Sequence, residues 1–97
     1  MTLNEYCYEC NKIARDHGWW DDNRNGLEIA ALIMTELAEF VEAIRIGDND
    51  NAKEELADVF IRLADYCGEW GINLETEVDR KMAKNRKRAY RHGGKKF

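Results

Sequence analysis

Thr35-Glu36-Leu37-Ala38-Glu39-Phe40-Val41-Glu42, answered further on by Glu54-Glu55-Leu56-Ala57-Asp58-Val59-Phe60, are the two stretches whose reading decides the fold. Each is an apolar run with helical periodicity and acids three residues apart, a spacing that projects both side chains from neighbouring points of one helix face. At about 100° per residue, Ile29, Ile33, Leu37, Phe40, Ala43 and Ile44 form one stripe, with Glu36 and Glu39 inside it. Carboxylates on a core-facing side are costly unless something pairs with them. A solvated acidic face therefore suits Glu42 better than Glu36 or Glu39. In the second stretch, Leu56, Val59, Phe60, Leu63, Tyr66, Cys67 and Trp70 define the apolar side. Glu55 lies on its border, and Asp58 lies further round on a ridge with Arg62, Asp65 and Glu69. Taken alone that ridge reads as a wet face. Beside the first pair, it reads as the other half of a divalent-cation site.

The remaining composition agrees with a helical domain. A chain of 97 residues forms one domain with a modest core, a size that often gains stability by oligomerising. It has no proline and 35% charged residues, and its periodicity is helical rather than alternating, which predicts an all-α, four-helix bundle-like architecture. The net charge of −4 conceals an asymmetry: nine Lys or Arg and no Asp or Glu follow from Arg80 onward. A basic end beside an acidic body suits either nucleic acid or the phosphates of a cation-bound nucleotide. No signal peptide and no membrane-length apolar run is evident, so a soluble, cytoplasmic protein is expected. The three cysteines make no disulfide framework. Cys7 and Cys10 fall on the apolar side of the first helix with Leu3, Tyr6, Ile13 and Ala14, and packed thiols are a better reading of this lone C-x-x-C than zinc.

Helix boundaries follow from capping signals. Thr2 with Glu5 opens a first helix that runs to about His17, where Gly18 stops it. Gly18-Trp19-Trp20-Asp21-Asp22-Asn23-Arg24-Asn25-Gly26 reads as a loop. Its adjacent tryptophans either plug the bundle end or leave one indole free to stack on a nucleobase. Asn25 with Glu28 opens the second helix, which ends near Ile46-Gly47. Asp48-Asn49-Asp50-Asn51 is a turn, and the Lys53 where a calcium loop requires glycine excludes an EF-hand. Asn51 with Glu54 is expected to cap a third helix reaching about Trp70 and stopped by Gly71. Asn73 then caps a fourth, Leu74 to about Tyr90, whose thin apolar content predicts half exposure or packing on a partner. The last residues, about 91–97, form a basic tail in which Gly93-Gly94 provides the flexibility to bring Lys95 or Lys96 over a ligand.

These residues resemble the MazG-like, all-α nucleoside triphosphate pyrophosphohydrolases, whose hallmark is E-x-x-E, a spacer, then E-x-x-D. Here that pattern is Glu36-Leu37-Ala38-Glu39, fifteen residues, then Glu55-Leu56-Ala57-Asp58. The approach from His17 to Asp22, and the basic end from Lys81 to Phe97, are similar to small, phage-type members. One departure is Ala89, where those members often carry proline. The resemblance implies hydrolysis of a (deoxy)nucleoside triphosphate to monophosphate and pyrophosphate, in nucleotide-pool cleansing or turnover. It implies Mg²⁺, with Mn²⁺ able to substitute, held by Glu36, Glu39, Glu55 and Asp58. Magnesium, a hard cation that takes oxygen ligands, suits four carboxylates. Glu39 or Glu36 is the candidate for orienting the attacking water.

By the same resemblance Lys81, Asn85, Arg88 and Lys95 are candidates for phosphate and sugar contacts, and His17, Trp19 and Trp20 for the base. A homo-dimer or homo-tetramer with composite sites is implied, and nucleic acid is not expected as the substrate. The competing reading is a non-catalytic helical module that binds nucleic acid or a protein through its basic end. In that case Glu36 and Glu39 would be paired with Arg or Lys and would need no cation.

Overall fold

A computed structural model describes residues 1–88 as four α-helices, α1 (Leu3–Asp16), α2 (Gly26–Arg45), α3 (Asn49–Trp70) and α4 (Leu74–Lys87), and no strands. Helix α3 is the spine. It packs along α2 on one side and α1 on another, while α4 touches only α1 to any extent.

Local chemistry sets the helix ends. The N–H of Glu5 donates to Thr2 Oγ1 at 3.1 Å, and the N–H of Thr2 donates to Glu5 Oε1 at 3.0 Å, completing a capping box. Asn25 Oδ1 accepts from the N–H of Glu28 at 2.9 Å, and Asn73 Oδ1 accepts from the N–H of Thr76 at 3.1 Å. At α3 the structure corrects the expectation. Asp48, not Asn51, is the cap, its Oδ1 accepting from the N–H of Asn51 at 3.1 Å. An aspartate at this position satisfies an orphan donor and also places negative charge at the positive end of the helix dipole, so the helix starts nearly a turn earlier. Gly47, at φ 77°, turns the chain between α2 and α3 in a conformation that disfavours any residue with a Cβ. Helix α4 stops at Lys87, and the expected end near Tyr90 lies outside the described residues.

The buried apolar residues among those described are, apart from Ile29, small: Cys7, Ile29, Ala43, Ala52, Ala64 and Cys67. Cys7, Ala64 and Cys67 form a cluster where α1 crosses α3, with Cys10, Phe60, Leu63 and Leu74 packed around it. Burial pushes the thiols of Cys7, Cys10 and Cys67 above their ordinary value, as expected of packed, unreactive cysteines. The helices approach closely because Gly68 has no side chain. A Cβ there would stand 2.5 Å from the carbonyl oxygen of Cys7 and 2.6 Å from Cβ of Asn11.

Helix α2 corrects the expected stripe. Ile29 and Ala43 are buried and Ile33 and Phe40 half-buried, but Leu37 and Ile44 are exposed. They belong instead to a second apolar seam, Leu27, Met34, Leu37, Val41 and Ile44, spaced alternately by about three and four residues and open to solvent along this chain. Helix α4 has no buried residue, and is held at its start. The N–H of Asn4 donates to Glu75 Oε1 at 3.0 Å and the N–H of Glu75 to Asn4 Oδ1 at 3.2 Å. No helix among the described residues is long and apolar enough to cross a membrane.

Replacing glycine by alanine inside a helix is ordinarily favourable by about 1 kcal/mol. At Gly68 the contact with backbone of α1 outweighs that gain. Gly68→Ala is expected to destabilise the protein by about 1–3 kcal/mol, read as a lower urea midpoint; an unchanged or higher midpoint would show that α1 yields freely.

Candidate active site

Helices α2 and α3 carry the four motif acids, and the short turn through Gly47 places these helices side by side. Glu36 and Glu39 from α2 and Glu55 from α3 each bring one carboxylate oxygen into a group in which all three lie within 4.8 Å of one another. Glu36 and Glu55 are half-buried and Glu39 is exposed, so only part of the expected burial of the α2 pair is realised. Asp58 is exposed and stands outside this group of three. It lines, with Glu36, a cleft of about 270 Å³ whose other walls include Ile13, Trp19, Arg62 and Asp65.

The electrostatics single out Glu55. Its Oε2 is enclosed and accepts no hydrogen bond from the described residues. Its carboxyl is pushed above the ordinary value, first by burial, then by the adjacent Glu39 carboxylate and by the negative charges of Asp58 and Glu36. No Lys or Arg of the described residues lies within ion-pair distance of Glu39, Glu55 or Asp58. Oxygen donors packed together, with one lone pair enclosed and unused, have the chemistry of a hard divalent cation's ligand set. Glu36 differs from its neighbours. Arg62 Nη2 stands 3.4 Å from Glu36 Oε1. Among the described residues, the cation partner that a purely structural reading requires is therefore present for Glu36 and absent for Glu39.

The adjacent tryptophans take different positions. Trp20 Nε1 donates to Asp65 Oδ1 at 2.9 Å, and its ring packs at 5.2 Å from Trp70. Trp19 lines the cleft, with the Arg62 guanidinium 4.8 Å and that of Arg24 5.5 Å from its ring centroid, both within the range of cation–π attraction. His17 is an exposed C-cap of α1 that does not line the cleft. Lys81, Asn85 and Arg88 are exposed on or just beyond α4, and none of them lines it. Lys95, Lys96 and the flexible tail expected there lie outside the described residues.

Sequence reasoning passed over Arg62, Arg24 and Asp65. Beyond the exposed Asp58, the ridge of α3 is sheltered: Asp65 is buried, accepting from Asn11 Nδ2 and Trp20 Nε1, each at 2.9 Å. Glu69 is half-buried and takes Asn11 Nδ2 at 3.0 Å and Arg15 Nη2. The signal was available as polar residues of opposite character at helical spacing on both α1, at Asn11 and Arg15, and α3, at Asp65 and Glu69.

Residues 24–92, well over half the chain, match the family model described as the MazG nucleotide pyrophosphohydrolase domain. No match was found among curated proteins or among solved structures.

Because Glu55 is raised above 4.5, it contributes stability to the ion-free protein that is present below that pH and lost as pH rises through the raised value. Glu55→Gln removes that titration. The variant is expected to melt above the parent at neutral pH without divalent ions, the difference closing as pH falls toward 4.5. Parallel melting curves across this range would show that the acids do not repel.

Proposed function

From the premise that the chain belongs to the MazG nucleotide pyrophosphohydrolase family, we propose that it hydrolyses (deoxy)nucleoside triphosphates to the monophosphate and pyrophosphate with the help of Mg²⁺. The observation that carries this reading is the group formed by Glu36, Glu39 and Glu55, with Glu55 Oε2 enclosed and unpartnered among the described residues. Mn²⁺, also suited to carboxylate ligands, would substitute.

Glu36, Glu39 and Glu55 would hold the cation, with Asp58 completing the set from the rim of the cleft. When bound, Mg²⁺ supplies neutralising charge for the triphosphate and lowers the pKa of water. Glu39, exposed and free of any cation among the described residues, is the better placed of the α2 acids to accept a proton from the attacking water. Glu36 is the less suited to that role because Arg62 already occupies one of its oxygens. Trp19, exposed at the cleft, is the candidate stacking surface for the base, while Trp20 holds the loop through Asp65.

The phosphate contacts proposed for Lys81, Asn85 and Arg88 need a further step, because in one chain none of these residues lines the cleft. A second copy supplies it. The seam Leu27, Met34, Leu37, Val41 and Ile44 is an exposed apolar face with the spacing of a helix-pairing surface, and the small buried core of one chain leaves much of its apolar area in water. We therefore place α2 at a homo-oligomeric interface, dimeric or tetrameric, through which α4 of a neighbour can approach the cleft. Nucleotide-pool cleansing or turnover is the cellular role that fits, and the cytoplasm is the corresponding compartment. The non-catalytic alternative is weaker, since among the described residues only one of the two α2 acids has the basic partner it requires.

Glu39→Gln and Asp58→Asn are each expected to lower Mg²⁺-dependent pyrophosphate release by about 100-fold or more with the helical circular dichroism unchanged. Turnover at the parental rate in both would remove the acids from the chemistry. Val41→Glu is expected to reduce the mass measured by light scattering to that of a smaller species, whereas an unaltered mass would place the interface elsewhere.

A further inference from the structure

Arg62 is the one cation of the described residues within ion-pair distance of the acidic group, and it occupies two surfaces at once. Its Nε and Nη2 each stand 3.4 Å from Glu36 Oε1, and its guanidinium carbon lies 4.8 Å from the centroid of Trp19. Charge-assisted N–H···O contacts are ordinarily about 2.7–2.9 Å long, so this pair is loose. It is also only partly sheltered, with side-chain exposures of 24% for Arg62 and 13% for Glu36. We propose that Arg62 is a displaceable counter-cation: it neutralises Glu36 while no divalent ion is held, yields Glu36 when one arrives, and in leaving uncovers a face of Trp19.

This rests on the metal-site reading above and adds to it an order of loading. A guanidinium remains charged at any pH the protein experiences, so Arg62 cannot relieve the conflict with an arriving cation by losing a proton. A divalent cation held on Glu36 takes up the carboxylate charge that attracts Arg62 and repels the guanidinium beside it at close range. Arg62 therefore moves, and its long, partly exposed side chain gives it a path to solvent. Arg24 does not replace it: its guanidinium is further from Trp19, at 5.5 Å, and its one ion pair among the described residues is a long one to Glu28 at 3.9 Å. Ion loading at Glu36 is thereby coupled to exposure of the indole, and by linkage an aromatic ligand on Trp19 must also favour the ion-loaded state.

The coupling is tested without nucleotide or turnover. Mn²⁺ binding is measured from the free-ion electron paramagnetic resonance signal, and Trp19 is followed by fluorescence during Mg²⁺ addition, with Trp19→Phe identifying its share. Arg62→Gln is expected to bind Mn²⁺ about fivefold more tightly than the parent, and to lack the Mg²⁺-induced change that the parent shows at Trp19. Equal or weaker Mn²⁺ binding by Arg62→Gln, or a Trp19 response that persists in it, overturns the proposal. Should Arg62→Gln fail to fold by circular dichroism, Arg62→Lys retains the charge but not the planar stack. It is expected to bind Mn²⁺ like the parent while losing the Trp19 response, and retention of that response overturns the coupling. If the parent itself binds no Mn²⁺, the metal-site reading fails and this proposal with it; if the parent binds Mn²⁺ and the variant binds it equally, only the counter-cation role fails.

Discussion

Carboxylates crowded within 4.8 Å repel one another, and the helical hairpin of α2 and α3 exists at the expense of that repulsion. What holds the helices together against it is packing by small residues. Ala43 on α2 and Ala52 on α3 are buried close to the turn, and Gly47 lets that turn be short. Further along, Ala64 and Gly68 allow α1 to lie tightly on α3. The described residues include few large buried side chains with which to offset an unfavourable site, so repulsion among the acids counts against a small margin of stability. A ligand that binds only the folded state would offset that repulsion by mass action.

Much of this architecture was legible in the chain. Thr2 with Glu5, Asn25 with Glu28, Asn73 and Gly71 marked helix ends that the structure places where local chemistry asks for them. The start of α3 was misplaced because the stretch from Asp48 to Asn51 offers capping residues in every register, and only the folded turn selects Asp48. The apolar stripe of α2 was misread for a different reason. That helix is apolar on two sides, so periodicity merges the face turned to α3 with the seam turned to solvent.

The acidic motif was the most readable feature of the site, since acids three residues apart within an apolar run conflict with ordinary core formation. Its convergence across two helices depends on a turn, and the turn residues were visible too. Arg62 was hidden because it lies on a ridge of mixed charge that looks solvated until α1 and the Trp19 loop are laid against it. Asp65 was hidden likewise, as its burial depends on Asn11 and Trp20, each more than forty positions away in sequence.

The unequal placement of the two indoles has an evolutionary consequence. Because Asp65 and Trp70 tether the loop through position 20, position 19 can accept other aromatic or polar residues without unmooring the backbone around it. On the proposed stacking role of Trp19, ligand preference can then drift by single substitutions at one codon while the fold is left alone. The neighbouring codon has no such freedom, since changing it would strip a hydrogen bond from a buried acid.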